Sequence, residues 1–188
     1  GIKVGPSPDW LKDRLEKIGL RSINNVVDIT NYIMLDIGHP MHAFDLSKVE
    51  GRSIRVRNAR KDEKIMTLDN VEHTLDSTML VIADVSKPIA LAGVMGGLHS
   101  SVTEKTTSVL LEAAFFNPTT VRKTAKRLGM MSDSSYRFER GTNIDNVPIA
   151  LNEAARLLRQ VAEGKPVKGI ADCYPKPEIL RQIRVRTK

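Results

Sequence analysis

The chain has 188 residues, 41% hydrophobic and 27% charged, the balance of a folded globular protein with one large domain or two small ones. Cys173 is the only cysteine, which excludes an intramolecular disulfide and a cysteine-cluster metal centre, and no apolar run approaches the roughly 20 residues that span a bilayer. The net charge of +7 is uneven, with 15 Lys+Arg against 7 Asp+Glu from Thr119 onward, a concentration that points to a polyanion such as nucleic acid, whereas 4% aromatic residues argue against stacking platforms for single strands.

In chain order, Ser7 and Pro8 open a helix whose stripe is Leu11, Leu15 and Ile18 and whose stop is Gly19. Asn24 or Asn25 begins a second, with Val26, Val27, Ile29, Ile33, Met34 and Ile37 on a broad apolar face and Gly38 past its end. His39-Pro40 blocks any continuation. From Ser53 the period changes to two, predicting strands at Ser53–Asn58, Lys64–Leu68, Glu72–Leu75, Met79–Ala83, Ile89–Val94 and Ser108–Ala113. Asn117-Pro118 opens a basic helix ending at Gly129, and a long amphipathic helix covers Asp145–Glu163 with Gly164 as its stop. Val167–Tyr174 reads as a last strand, and Tyr174–Pro177 as a linker. Helices bracket the strands, so the expected class is α+β.

Several residues carry chemistry. His39 and His42 lack a second cluster at ligand spacing, so no metal site is expected, and His42 is either a structural histidine or a functional one on a loop. Glu112 lies in the most apolar stretch, Val109–Phe116, where a carboxylate must face water, find a partner or suffer desolvation. It is either an exposed edge-strand residue or a pocket acceptor. Gly93, Gly96 and Gly97 end an apolar strand, as a plain turn or as a close approach to a ligand. Arg122, Lys123, Lys126 and Arg127 form two i,i+4 rows on one helix, either solvated or set for phosphate contact.

Longer motifs go further. Ser22–Tyr32, Gly38–Asp45, Leu91–Gly97, Leu111–Phe115 and Ser132–Gly141, in that order, resemble the beta subunit of bacterial phenylalanyl-tRNA synthetases. The resemblance covers nearly the whole chain and implies the editing domain of that subunit over residues 1–175, with 176–188 as linker and start of the next module. Both ends then read as interior to a longer chain. The implied fold is a layered, β-sandwich-like sheet body flanked by helices. The implied activity is hydrolysis of tyrosine wrongly esterified to the phenylalanine tRNA, and the alternative is a non-catalytic module that binds tRNA or a partner.

By the same resemblance, His42 and Glu112 are catalytic, while Thr30, Asn31, Pro40, Gly96, Gly97, Ser132 and Ser134 surround the substrate. Arg122, Lys123, Lys126 and Arg127 would contact tRNA. Ser132 and Ser134 stand where the family usually has Thr and Ala, which removes a methyl and adds a hydroxyl. The resemblance implies no cofactor in this fragment, ATP and Mg²⁺ for the complete enzyme, an alpha-subunit partner in an (αβ)2 heterotetramer, and a cytoplasmic location without membrane contact.

Overall fold

The computed structural model describes residues 1–175 and 184–186. Leu11 and Leu15, four apart, form the buried face of α1 (Asp9–Lys17). Pro8 rather than Ser7 holds the N-cap position and no side chain caps it, because the Ser7 hydroxyl is drawn away to Asp28, 2.5 Å from Oδ2. Asp28 lies fully buried on α2 (Asn25–Asp36) and also accepts from the Ser22 hydroxyl and the Ile23 amide, which latches the α1–α2 connection. Asn24 caps α2 by accepting from the amides of Val26 and Val27, satisfying two of the orphan donors at a helix start.

Three small antiparallel sheets follow. β1 (Met41–Asp45) pairs with β8 (Val109–Ala113), in the register Met41–Ala113 through Asp45–Val109. β2 (Arg55–Asn58), β5 (Leu80–Ala83), β6 (Pro88–Leu91) and β7 (Met95–Gly96) make a four-stranded sheet in the order β2-β5-β6-β7. β3 (Lys64–Met66) and β4 (Glu72–Thr74) form a hairpin, tied to the end of β7 by a bridge between Thr67 and Gly97. Then come α3 (Pro118–Leu128), closed by a left-handed Gly129, the short α4 (Asp133–Phe138) and α5 (Asn146–Val161). The class is α+β, with the body built from antiparallel sheets.

The β1–β8 pair is a wall between two apolar cores. Met41 and Ala43, with Val109, Leu111 and Ala113, face the helical core of Leu11, Leu15, Ile29, Ile33, Ala154 and Leu158. Phe44 and Leu110 face the sheet core of Val81, Ile82, Ile89, Leu91, Phe116 and Phe138. A strand with apolar packing on both sides loses the alternating pattern, and the Pro40-to-Asp45 stretch therefore carries no strand signal.

Two expectations are corrected. Val167–Tyr174 is not a strand: Val167 is 90% exposed, Ile170 is 59% exposed, and no strand among the described residues offers them a ladder. β6 stops at Leu91 rather than Val94, because Gly93 takes a φ of 70° and turns the chain into β7. The expected linker and start of the next module, 176–188, lies, apart from residues 184–186, outside the described residues.

Candidate functional site

His42 on β1 and Glu112 on β8 are direct cross-strand partners. Opposed residues of an antiparallel pair project from the same face with Cβ atoms about 4.5–5.5 Å apart. They share the face of Phe44 and Leu110, so they point toward the sheet core at the end where its packing gives way to a pocket. The His42 ring stands edge-on to Phe44, with centroids 4.5 Å apart.

Among the described residues neither group has a polar partner. His42 Nε2 is buried without a hydrogen bond, and no ion pair or hydrogen bond reaches Glu112 among the described residues. Burial acts on both by opposing their charged forms. It pushes the Glu112 carboxyl up to about 7 and the His42 imidazole down to about 4. At neutral pH the imidazole is uncharged and the carboxyl is poised between its two forms, a condition common at functional sites.

The pocket, about 40 Å³, is lined by His42, Glu112, Pro40, Met95, Gly96, Phe116, Ser134 and Phe138, together with apolar residues of β5 and β6. That volume exceeds the roughly 10–15 Å³ one water needs but is too small for an aromatic side chain. Gly96 forms the wall behind His42. A Cβ there would lie 2.7 Å from His42 Nε2 and even closer to Cε1, so any side chain must displace the imidazole.

Of the expected substrate contacts, Pro40, Gly96 and Ser134 line this pocket and the others do not. Gly97 is required by crowding, since a Cβ would sit 2.5 Å from the Ile89 carbonyl oxygen. Ser132 caps α4 and donates to the Val94 carbonyl at 2.6 Å. The Thr30 hydroxyl turns back onto the Val27 carbonyl of α2, and Asn31 lies half-buried on the same helix. Met95, Phe116 and Phe138 also line the pocket; Met95 and Phe138 fall within the motifs Leu91–Gly97 and Ser132–Gly141, but apolar residue types in themselves read as core. Phe138 also stands i,i+4 to Ser134 on α4.

α3 buries Val121, Thr124 and Ala125 and exposes Arg122, Lys123, Lys126 and Arg127. Arg127 pairs with Asp76 at 3.1 Å, while the other three form no ion pair among the described residues. The helix backs the pocket, because Val121 and Phe116 close on Gly93 from behind. A larger groove of about 570 Å³ lies elsewhere, between α1, α2 and α5. Its charges are already engaged: Arg14 donates to the Tyr32 hydroxyl, and Arg156 to Glu153 and Gln160. Among the described residues no group of three His, Cys, Asp or Glu is placed to hold a metal ion, and no helix is long and apolar enough to cross a membrane.

Fold and site together define a small α+β domain whose two cores share a wall carrying a half-buried carboxyl–imidazole pair. The chain belongs to the B3/4 domain family, whose profile matches residues 1–163. It is similar to proteins named phenylalanine–tRNA ligase beta subunit from several bacteria. It is 53% identical over 176 residues to that of Moorella thermoacetica, covering 94% of this chain and 22% of that protein. It is 54% identical over 184 residues to that of Carboxydothermus hydrogenoformans, covering 98% and 23%. With the Aquifex aeolicus protein it shares 55% identity over 174 residues, covering 93% and 22%. The chain thus spans less than a quarter of the length of these relatives.

Proposed function

We propose that this chain is the editing domain of a phenylalanine–tRNA ligase beta subunit and hydrolyses tyrosine wrongly esterified to the phenylalanine tRNA. The observation that carries the reading is the convergence of Glu112 and His42, unpartnered, in one small pocket against Gly96. The chemical need is general. A pocket that accepts phenylalanine rejects an added hydroxyl only about 100-fold, so a second site must select for the hydroxyl itself.

Glu112 supplies that selection by accepting the phenolic hydrogen. A phenylalanyl ester leaves the carboxylate buried and unpaired, which disfavours its binding. The ring enters by displacing pocket water and shifting Met95, an unbranched side chain suited to such movement. Water adds to the ester carbonyl, the acyl C–O bond breaks, the RNA ribose hydroxyl leaves with a proton, and free tyrosine remains. His42, neutral at pH 7, holds the water or the ester through a ring nitrogen. Arg122, Lys123 and Lys126 on α3 attract the phosphates of the acceptor end. In this reading the domain works within an (αβ)2 heterotetramer with an alpha subunit. ATP and Mg²⁺ serve the synthesis reaction there, and the assembly is cytoplasmic.

The test compares full-length enzyme, wild type and Glu112→Ala, in deacylation of tyrosyl-tRNA. A lost charged acceptor is worth roughly 1.5–3 kcal/mol, so deacylation should fall about 10- to 150-fold while phenylalanine charging holds. Glu112→Gln should fall between. If Glu112→Ala lowers folding and both activities together, the carboxyl is structural and the reading fails.

A further inference from the structure

Outside the pocket, the end of β3 carries an apolar surface that the function proposed above leaves unused. Residues 66–68 run antiparallel to residues 96–98. The Leu68 amide donates to the Gly96 carbonyl at 3.1 Å and the Leu98 amide to the Met66 carbonyl at 2.9 Å, on either side of the Thr67–Gly97 bridge. Side chains alternate along such a ladder, so Met66, Leu68 and Leu98 share one face with Gly96, while Thr67 and Gly97 occupy the other. Burial follows that division. Thr67 is fully buried, whereas Met66, Leu68 and Leu98 are 39%, 45% and 38% exposed. Three large apolar side chains exposed side by side, rather than singly, mark a contact surface.

This shelf leads to the candidate site. A Cβ built on Gly96 would lie 2.7 Å from His42 Nε2 and 3.1 Å from Leu68 Cδ1, so the imidazole and the shelf meet over the same bare glycine. Lys64 and Glu72, on the same face, neutralise each other at 2.7 Å, which leaves little there for a phosphate or a charged segment. A protein segment fixed on the shelf would crowd His42, which favours an occupant that arrives and leaves with the substrate.

We propose, resting on the editing reading, that the shelf receives the 3′-terminal nucleobase of the RNA ester, one flat face of the base lying on Leu68 and Leu98. The ribose joins base and ester through only a few bonds. With the amino-acid ring in the pocket and the ester at His42, the base therefore falls beside Gly96. Apolar contact with its face holds it, as unstacked bases are commonly held.

The experiment measures kcat and KM for deacylation of two tyrosyl-tRNAs, one ending in adenosine and one whose terminal base is replaced by hydrogen. The proteins are full-length wild type and a variant carrying Leu68→Ser and Leu98→Ser. In wild type, removing the base should raise KM about 10-fold, what burial of roughly 60 Å² of apolar surface contributes, with kcat within twofold. In the variant the two esters should differ less than threefold. Each ratio compares two substrates on one protein, so it is independent of any loss of folded enzyme. A 10-fold ratio that persists in the variant overturns the proposal, because the base then rests elsewhere; lower thermal stability of the variant alongside it would assign the shelf to another segment of the protein. Wild type equally active on both esters overturns it too. Inactivity of wild type on the ester ending in adenosine overturns the editing reading with it.

Discussion

Two ends of one two-stranded sheet treat polar side chains in opposite ways. Asp45, at the far end of β1, is 3% exposed, yet its oxygens accept from the Thr106 hydroxyl at 2.6 Å and from the Ser47 hydroxyl at 2.7 Å and amide at 3.0 Å. Burial pushes its pKa up, but these bonds and the nearby Lys48 outweigh burial and leave it below the usual carboxylate range. Three residues earlier, His42 and its partner Glu112 receive no such support, and burial alone sets both. The first arrangement holds a turn to the sheet. The second leaves hydrogen-bonding capacity open, which is of use only to something that arrives from outside. Along this one sheet the saturated carboxylate builds structure, and the unsaturated pair faces the pocket.

The contrast can be broken most severely at Asp45. Asp45→Ala strands Thr106 and the Ser47 amide, and should cost about 3 kcal/mol in urea unfolding at pH 7. With its folded pKa depressed, the stability Asp45 supplies is present above its ordinary value and lost as pH falls through the folded one, so the defect should shrink in acid. A negligible cost would mean its bonds are ornamental. Next comes Gly96→Ala, which drives the His42 ring from its place and should lower tyrosyl-tRNA deacylation about 100-fold, as small misplacements of reacting groups do. Retained activity would show that His42 is not held where it matters.

Glu112→Gln sharpens the comparison from the other side. A carboxyl raised from 4.5 to about 7 binds an extra proton in the folded state, so stability is lost as pH rises across that window. Removing the charge should stabilise the domain at pH 8 by about 1–2 kcal/mol, less than the full shift because a buried amide has its own cost. His42 runs the other way: lowered from 6.5 to about 4, it loses stability as pH falls through that range. His42→Gln should therefore flatten the acid side of the stability profile and leave the alkaline side. The smallest effect lies on α3. Alanine at Arg122, Lys123 and Lys126 should reduce the salt slope of tRNA binding by up to about 3, one for each phosphate no longer neutralised, with stability unchanged.

Much of this scaffold is legible in the sequence. Asn24 and Gly38 bracket α2, and Asn117, Pro118 and Gly129 bracket α3, because capping is local chemistry written in adjacent residues. β1 is invisible for the opposite reason: its neighbours on both faces come from remote chain segments, so no alternation marks it. α4 is six residues long and too short for periodicity to show. At the candidate site, burial of Glu112 in an apolar run can be suspected from its surroundings, but its pairing with His42 is a tertiary register that spacing does not encode. The family resemblance draws those two together, and it also groups Gly97 and Ser132 with them, whose places are set by strand crowding and helix capping.

The register of β1 with β8 also sets a timetable. His42 and Glu112 stand 70 residues apart, and at roughly 5–20 residues per second the ribosome needs about 4–14 s to deliver the second after the first. Through that interval β1 carries an open row of amides and carbonyls, and Phe44 lacks the Leu110 that later lies opposite it. The nascent chain can assemble neither the dividing wall nor the pocket until β8 emerges, so the pocket closes only after most of this domain has been synthesised.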